Sequence, residues 1–163
     1  MAALARNFVK FAVVPSLRRL QSRGYADAAA GLPLTFGSPG QIYYSNVNVK
    51  QVDVPSQSGS FGILPNHVPV LAVFQPGVVT VYEAHGATKK YFVSSGSITV
   101  NGDSSVVLNA EEACETKDLD PQAAREGLTN AQRAIASAKD EKEKAEAQIR
   151  VEVFEAIIKA AEQ

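Results

Sequence analysis

Apolar and polar positions along the chain fall into two regimes with different periods. From Leu32 to Glu115, short runs rich in β-branched and aromatic residues alternate with turn signals. The turns are Gly37-Ser38-Pro39-Gly40, Ser56-Gln57-Ser58-Gly59, Pro65-Asn66, Gln75-Pro76-Gly77, His85-Gly86, Ser95-Gly96 and Asn101-Gly102-Asp103. Between them the candidate strands are Leu32–Phe36, Ile42–Val49, Val52–Pro55, Val68–Phe74, Val78–Glu83, Lys90–Ser94, Ser97–Val100 and Val106–Leu108. Many short strands at such spacing predict a β-sandwich or barrel. In 78–82 both faces are mostly apolar, so that strand is expected to be covered on two sides. In 97–100, Ile98 and Val100 alternate with Ser97 and Thr99, which leaves one face wet. The apolar register slips by one between Val49 and Val52, as a bulge at Lys50-Gln51 would require. Asn101-Gly102 predicts a tight hairpin with positive φ at both residues.

From Asp118 onward the period becomes helical. Asp120-Pro121 sets an N-cap followed by an N1 proline. Ala124, Leu128, Ala131, Ile135 and Ala138 recur at alternating spacings of four and three, the narrow seam of a coiled coil. Ser137–Asp140 offers a reversal, with Asp140 capping a second helix. Ala145, Ile149, Val153, Ala156 and Ala160 form its expected seam, and Val151, Phe154, Ile157 and Ile158 widen the apolar face. An N-terminal β-sandwich followed by a C-terminal antiparallel α-helical hairpin is therefore expected, with one unbroken helix as the alternative. The boundaries are 32–117 for the sandwich and 118–163 for the hairpin.

Charge changes the picture at the N-terminus. The net charge of −1 over 163 residues hides an asymmetry. Residues 1–25 hold five of the 16 bases and no acid, leaving 11 bases against 17 acids in the remainder. An acid-free, Arg-rich, potentially amphipathic leader reads as an organelle transit peptide. Its apolar runs, Phe11–Val14 among them, are far short of the ~20 residues of a membrane span. Arg23-Gly24-Tyr25-Ala26 fits mitochondrial processing, with cleavage between Tyr25 and Ala26, and residues 26–31 read as a linker. Excess acid gathers in the hairpin, with 13 acids and eight bases between Glu111 and Gln163. The sandwich holds only three Lys and three acids between Leu32 and Ala110, so its contacts must rest mainly on shape and apolar surface.

Candidate chemistry is sparse. Neither a phosphate-cradling glycine loop nor a Gly-x-Ser-x-Gly elbow is present. Cys114, flanked by acids, lacks the electropositive setting of a nucleophile. Glu111, Glu112 and Glu115 fall at the domain junction, where exposed acids are common. A lone His67 between Pro65 and Pro69 reads as a locally bonded turn residue. No metal site, cofactor site or nucleic-acid patch is expected.

Two segments carry a resemblance. Gly59-Ser60-Phe61-Gly62-Ile63-Leu64-Pro65-Asn66-His67-Val68-Pro69 follows Val52-Asp53-Val54-Pro55 and precedes Gln75-Pro76-Gly77-Val78-Val79. Tyr91-Phe92-Val93-Ser94-Ser95-Gly96-Ser97-Ile98-Thr99-Val100 precedes Leu108-Asn109-Ala110-Glu111-Glu112-Ala113. Together they resemble the rotor-subunit family of F-type ATP synthases, called delta in mitochondria and epsilon in bacteria and chloroplasts. The leader points to the mitochondrial branch. The resemblance implies a sandwich of about ten strands, no catalysis, and a place at the foot of the central stalk on the matrix side of the inner membrane. Its implied partners are the gamma subunit, the membrane c-ring and the small mitochondrial epsilon subunit. Carried over by position, the c-ring-facing loop is Gly59, Ser60, Phe61, Gly62 and His67, with Ser60 where bacterial relatives often have an acid. Some bacterial relatives bind ATP through Ile/Leu-Asp-x-x-Arg-Ala in the first helix. Here Thr129-Asn130-Ala131-Gln132-Arg133-Ala134 keeps the Arg-Ala and lacks the carboxylate, so no nucleotide site is expected. The alternative is a regulatory ATP-sensing stalk subunit whose hairpin changes conformation.

Overall fold

The structure is a computed structural model and describes residues 31–162. The leader and its Tyr25–Ala26 cleavage point lie outside the described residues. Among the described residues, nine strands come first, then two α-helices: β1 Leu32–Ser38, β2 Gln41–Ser56, β3 Gly59–Ile63, β4 Val70–Val73, β5 Gly77–Glu83, β6 Thr88–Val93, β7 Gly96–Val100, β8 Val106–Ala110, β9 Ala113–Glu115, α1 Pro121–Ser137 and α2 Glu141–Ala161. The strand order is β4-β7-β8-β1-β2-β5-β6-β9, with β3 also on β2. All pairs are antiparallel except β1 with β8.

The 16-residue β2 is shared by both layers of the sandwich. Its first half pairs with β1 and its second half with β3 and β5. The two segments expected as separate strands are thus one strand. The register against β5 shifts between Val49 and Gln51, the bulge expected at Lys50-Gln51, and that bend lets one strand serve two layers. A corner closes where Gln57 N donates to Val73 O at 3.3 Å and Phe74 N to Gly96 O at 2.9 Å.

Alternate side chains point inward and build one core from both layers. Phe36, Leu32, Leu34, Ile63, Ile98 and Leu108 are its largest fully buried members. Burying one such side chain contributes about 1.5–3 kcal/mol. Phe36, Tyr43 and Tyr91 meet at 4.9–5.3 Å between ring centroids. In β5, Val79, Val81 and Glu83 are buried and Val78, Thr80 and Tyr82 half-buried. The second side is therefore only partly covered, by α2. The β7–β8 hairpin forms, but not through a two-residue turn. Asn101 N donates to Ser105 O at 2.9 Å, and Ser104 carries the positive φ of 67°. Asp103 accepts from Ser105 N and Oγ at 3.0 and 2.7 Å and shapes that longer turn.

Asp120 caps α1 by accepting from Gln122 N and Ala123 N at 2.8 and 3.1 Å, and Pro121 opens the helix. Asp140 caps α2 by accepting from Glu143 N at 2.7 Å, while Glu143 accepts from Lys139 N at 3.0 Å. Reciprocal capping of this kind makes two helices out of the stretch that could have been one. The pair is antiparallel, and Arg125 near the start of α1 reaches Glu162 at the end of α2 at 3.2 Å.

Candidate functional site

Gly59–Ile63, which the resemblance implies to be part of a loop, is strand β3 on the second half of β2. Ser56 Oγ donates to Gly59 O at 2.7 Å and ties the hairpin tip, where Gly59 has a φ of 118°. Gly62 is required by its neighbours. A Cβ there would sit 2.8 Å from Asp53 Oδ1, which accepts from Gln51 Nε2 at 2.6 Å. Phe61 is half-buried against the core and lies 6.4 Å from the His67 ring. His67 occupies the next turn, where its N donates to Leu64 O at 3.2 Å and its Nδ1 lies 2.8 Å from Val68 O. The structure therefore brings Phe61 and His67 together at one end of the sandwich, with Gly59 and Ser60 exposed at the β2–β3 tip. Nearby in sequence, Leu64, Val68, Leu71 and Val73 are all exposed, Leu71 by 75%.

Leu71 and Val73 belong to a larger surface that the sequence did not disclose. Register aligns Leu71, Thr99, Val107 and Thr35 across β4, β7, β8 and β1. The next outward row is Val73, Ser97, Asn109, Gly37 and Ile42, ending on β2. None of these nine carries a charge. Alternation within each strand marks its outward residues, but only the strand order assembles them into one neutral face.

A second unforeseen feature is Glu83. It is 8% exposed and accepts from Tyr44 Oη at 3.0 Å, with Lys89 Nζ at 2.9 Å and His85 Nε2 at 2.8 Å. The Lys89 hydrogen bond holds its carboxyl below the usual glutamate range, aided by Tyr44 and opposed by burial. Lys89 is raised in turn by that bond and by the carboxylate charge. Burial, then the bonds to Tyr91 and Glu83, pushes the Tyr44 phenol far up. This set ties β2, β5 and β6 together as a hydrogen-bonded structural network.

The hairpin places the predicted seams unequally. On α1, Ala124 and Ala131 are buried and Leu128 and Ile135 half-buried, as is Ala138 at its C-cap. On α2 the α1-facing side is set by buried Ala147 and by Phe154, whose ring fills the space beside Gly127. Val151 and Ile158 share that side by helical spacing. The expected α2 seam is displaced from it. Ala145 and Ile149 are exposed, and Val153, Ala156 and Ala160 look toward the sandwich, where they line cavities with Pro76 or Gly77. The reason is that α2 is packed on two opposite sides, so its apolar residues do not define one stripe.

At the junction, Glu111 Oε2 accepts from Ser95 Oγ at 2.7 Å, and Glu115 pairs with Lys117. Burial, then the charges of Asp118 and Glu112, raises the Cys114 thiol, the reverse of nucleophile activation. Asn130 and Arg133 are exposed on α1.

Comparison with known proteins agrees with this geometry. Residues 32–115 match the family described as ATP synthase, Delta/Epsilon chain, beta-sandwich domain. Residues 119–160 match the Metazoan delta subunit of F1F0-ATP synthase, C-terminal domain. The chain is 47% identical to ATP synthase subunit delta, mitochondrial, of Caenorhabditis elegans, over 97% of both chains. It is 42% identical to that of Yarrowia lipolytica, over 96% of this chain and 97% of the relative. In fold it is similar to a chain of the Euglena gracilis mitochondrial ATP synthase OSCP/F1/c-ring structure, with a TM-score of 0.75 and 23% identity over 97% of this chain and all of that one. The sandwich, the capped hairpin and these matches place the chain in the delta/epsilon family of ATP synthase subunits, on its mitochondrial delta branch.

Proposed function

We propose that the protein is a non-catalytic central-stalk subunit of mitochondrial ATP synthase, seated between the gamma subunit and the c-ring on the matrix side of the inner membrane. It carries rotation in proton-driven ATP synthesis and performs no chemistry itself. The small mitochondrial epsilon subunit binds alongside. Residues 1–25 direct import and are removed after Tyr25.

One observation carries the reading: membership of the mitochondrial delta branch in a chain whose exposed large apolar side chains lie mostly on the sandwich. A torque-bearing part must resist shear, and a close-packed core spanning both layers suits that demand. The turn at His67, the β2–β3 tip and the exposed Leu64 and Val68 form the end assigned to the c-ring. With no charge at Ser60, Phe61 and backbone groups serve that contact. The neutral face across β4, β7, β8 and β1 is assigned to gamma, because burying an uncharged face leaves no unpaired ion. The test is affinity purification of the tagged chain from mitochondria. Gamma and the c-ring are expected to co-purify, and recovery solely as a free matrix monomer would contradict the proposal.

A further inference from the structure

The β7–β8 turn carries chemistry that neither the fold nor the stalk assignment uses. Asn101-Gly102 is the one Asn-Gly pair of the chain; the other asparagines precede Phe8, Val47, Val49, His67, Ala110 and Ala131. The turn closes from Asn101 to Ser105, and its positive φ falls at Ser104, not at either member of the pair. A Cβ on Gly102 would meet nothing within 4 Å. Neither backbone conformation nor packing therefore requires a glycine here.

What the pair brings together is an electrophile and a nucleophile. Asn101 Cγ is a carboxamide carbon, and attack on it by the next backbone nitrogen, Gly102 N, closes a five-membered ring. Glycine has no Cβ, so that approach meets little steric resistance. Asn101 and Gly102 are both exposed. Gly102 N makes no hydrogen bond among the described residues, which leaves its proton open to water. The Asn101 backbone is held on both sides, its N donating to Ser105 O at 2.9 Å and its O accepting from Ser104 N at 3.0 Å. Its side chain is held only through Nδ2, which donates to Ser105 Oγ at 2.8 Å. Water replaces an exposed bond of that kind at small cost, and the side chain is then free to turn its Cγ onto Gly102 N. Asn46, Asn48 and Asn109 lie within strands and Asn130 within α1, where the backbone is fixed and the following residue carries a Cβ.

We propose that Asn101 is a site of spontaneous, enzyme-independent modification, at which the carboxamide becomes a carboxylate by way of a succinimide. Gly102 N gives its proton to hydroxide and attacks Asn101 Cγ. The N–Cγ bond forms, the Cγ–Nδ2 bond breaks, and Nδ2 leaves as ammonia with a proton taken from water. A second water opens the ring. Opening at Cγ gives aspartate on the original backbone. Opening at the backbone carbonyl gives isoaspartate, with the chain routed through Cβ and one methylene longer. The sum is one water consumed and one ammonia released, with no oxidant or reductant.

Either product places a new carboxylate beside Asp103, which already accepts from Ser105 Oγ at 2.7 Å. The Nδ2–H donor is lost and two like charges face one hydroxyl. Alternation puts Asn101 on the same outward side as Thr99, so the charge falls at the end of the neutral sheet face. This goes beyond the stalk assignment, and its test uses the chain alone.

The test is incubation of the purified full chain, folded by circular dichroism, at neutral and mildly alkaline pH in oxygen-labelled water, followed by peptide mapping with mass spectrometry. Asn101 is expected to convert with uptake of labelled oxygen, to a mixture of aspartate and isoaspartate, at a rate that rises with hydroxide. Asn46, Asn48, Asn66, Asn109 and Asn130 are expected to convert at least about tenfold more slowly. Gly102→Ala, for which the turn has room, is expected to slow Asn101 at least about tenfold with the fold unchanged. Asn101 still intact when a free synthetic peptide of residues 97–107 has converted would overturn the proposal, because the fold would then protect the site. Conversion without isoaspartate, or equally fast in Gly102→Ala, would also overturn it, because neither fits attack by Gly102 N.

Discussion

Gly127 of α1 and Phe154 of α2 fit as notch and knob: a Cβ on Gly127 would lie 2.4 Å from Phe154 Cε1. A glycine inside a helix costs about 1 kcal/mol relative to alanine. Here that cost is offset by letting the ring approach the α1 backbone. Gly127→Leu is a better helix former and should nonetheless destabilise the hairpin, by about 1–3 kcal/mol, because the ring loses its place. Combined with Phe154→Ala, the loss should be clearly less than additive. Urea unfolding of the four proteins of the cycle checks this.

Gly96 is constrained more severely. It has a φ of 146°, and a Cβ there would lie 2.0 Å from the carbonyl oxygen of Asn109. Neither atom belongs to a side chain that could swing away. Gly96→Ala should therefore cost about 3 kcal/mol or more, read as a lowered melting temperature. This gives a physical reason for the glycine in the Ser95-Gly96-Ser97 segment.

Glu83 predicts a dependence on acid. Its folded pKa lies below the ordinary 4.5, so the unfolded chain binds the proton more readily. The stabilisation is complete above the unfolded value and is lost as pH falls through the lowered folded value. Thermal melts from about pH 7 to about pH 3 should show wild type losing stability more steeply than Glu83→Gln, which is already weakened at neutral pH. Lys89 acts at the other extreme. Its raised pKa contributes below the unfolded lysine value and is lost as pH rises through the folded one.

The helix caps are separable. Asp120→Ala leaves Gln122 N and Ala123 N without their acceptor and should cost about 1 kcal/mol. Asp140→Ala should cost a similar amount and also free the reversal. Far-UV circular dichroism during denaturation reads both.

What could be read from residues alone was whatever local chemistry decides. Asp120-Pro121 and Asp140 mark helix starts because caps and prolines act within one turn. The slip at Lys50-Gln51 shows the bulge because a register change inverts inside and outside. β3 is hidden in the pattern because Gly59 and Gly62 imitate a loop. Their glycines are there for a φ of 118° and for the Gln51–Asp53 pair, neither of which shows in a pattern. The three-residue β9 is too short to show a period. Ala145 and Ile149 fall away from the α1 contact because α2 packs on two faces. The neutral sheet face needs the strand order, since Leu71 and Val107 are joined only through β7.

The central claim, a stalk part that couples rotation without doing chemistry, is tested most directly by removing the chain. In mitochondria depleted of it, substrate-driven ATP synthesis should fall sharply, while ATP hydrolysis by the catalytic head persists but no longer builds a proton gradient. Synthesis continuing at the undepleted rate would contradict the account.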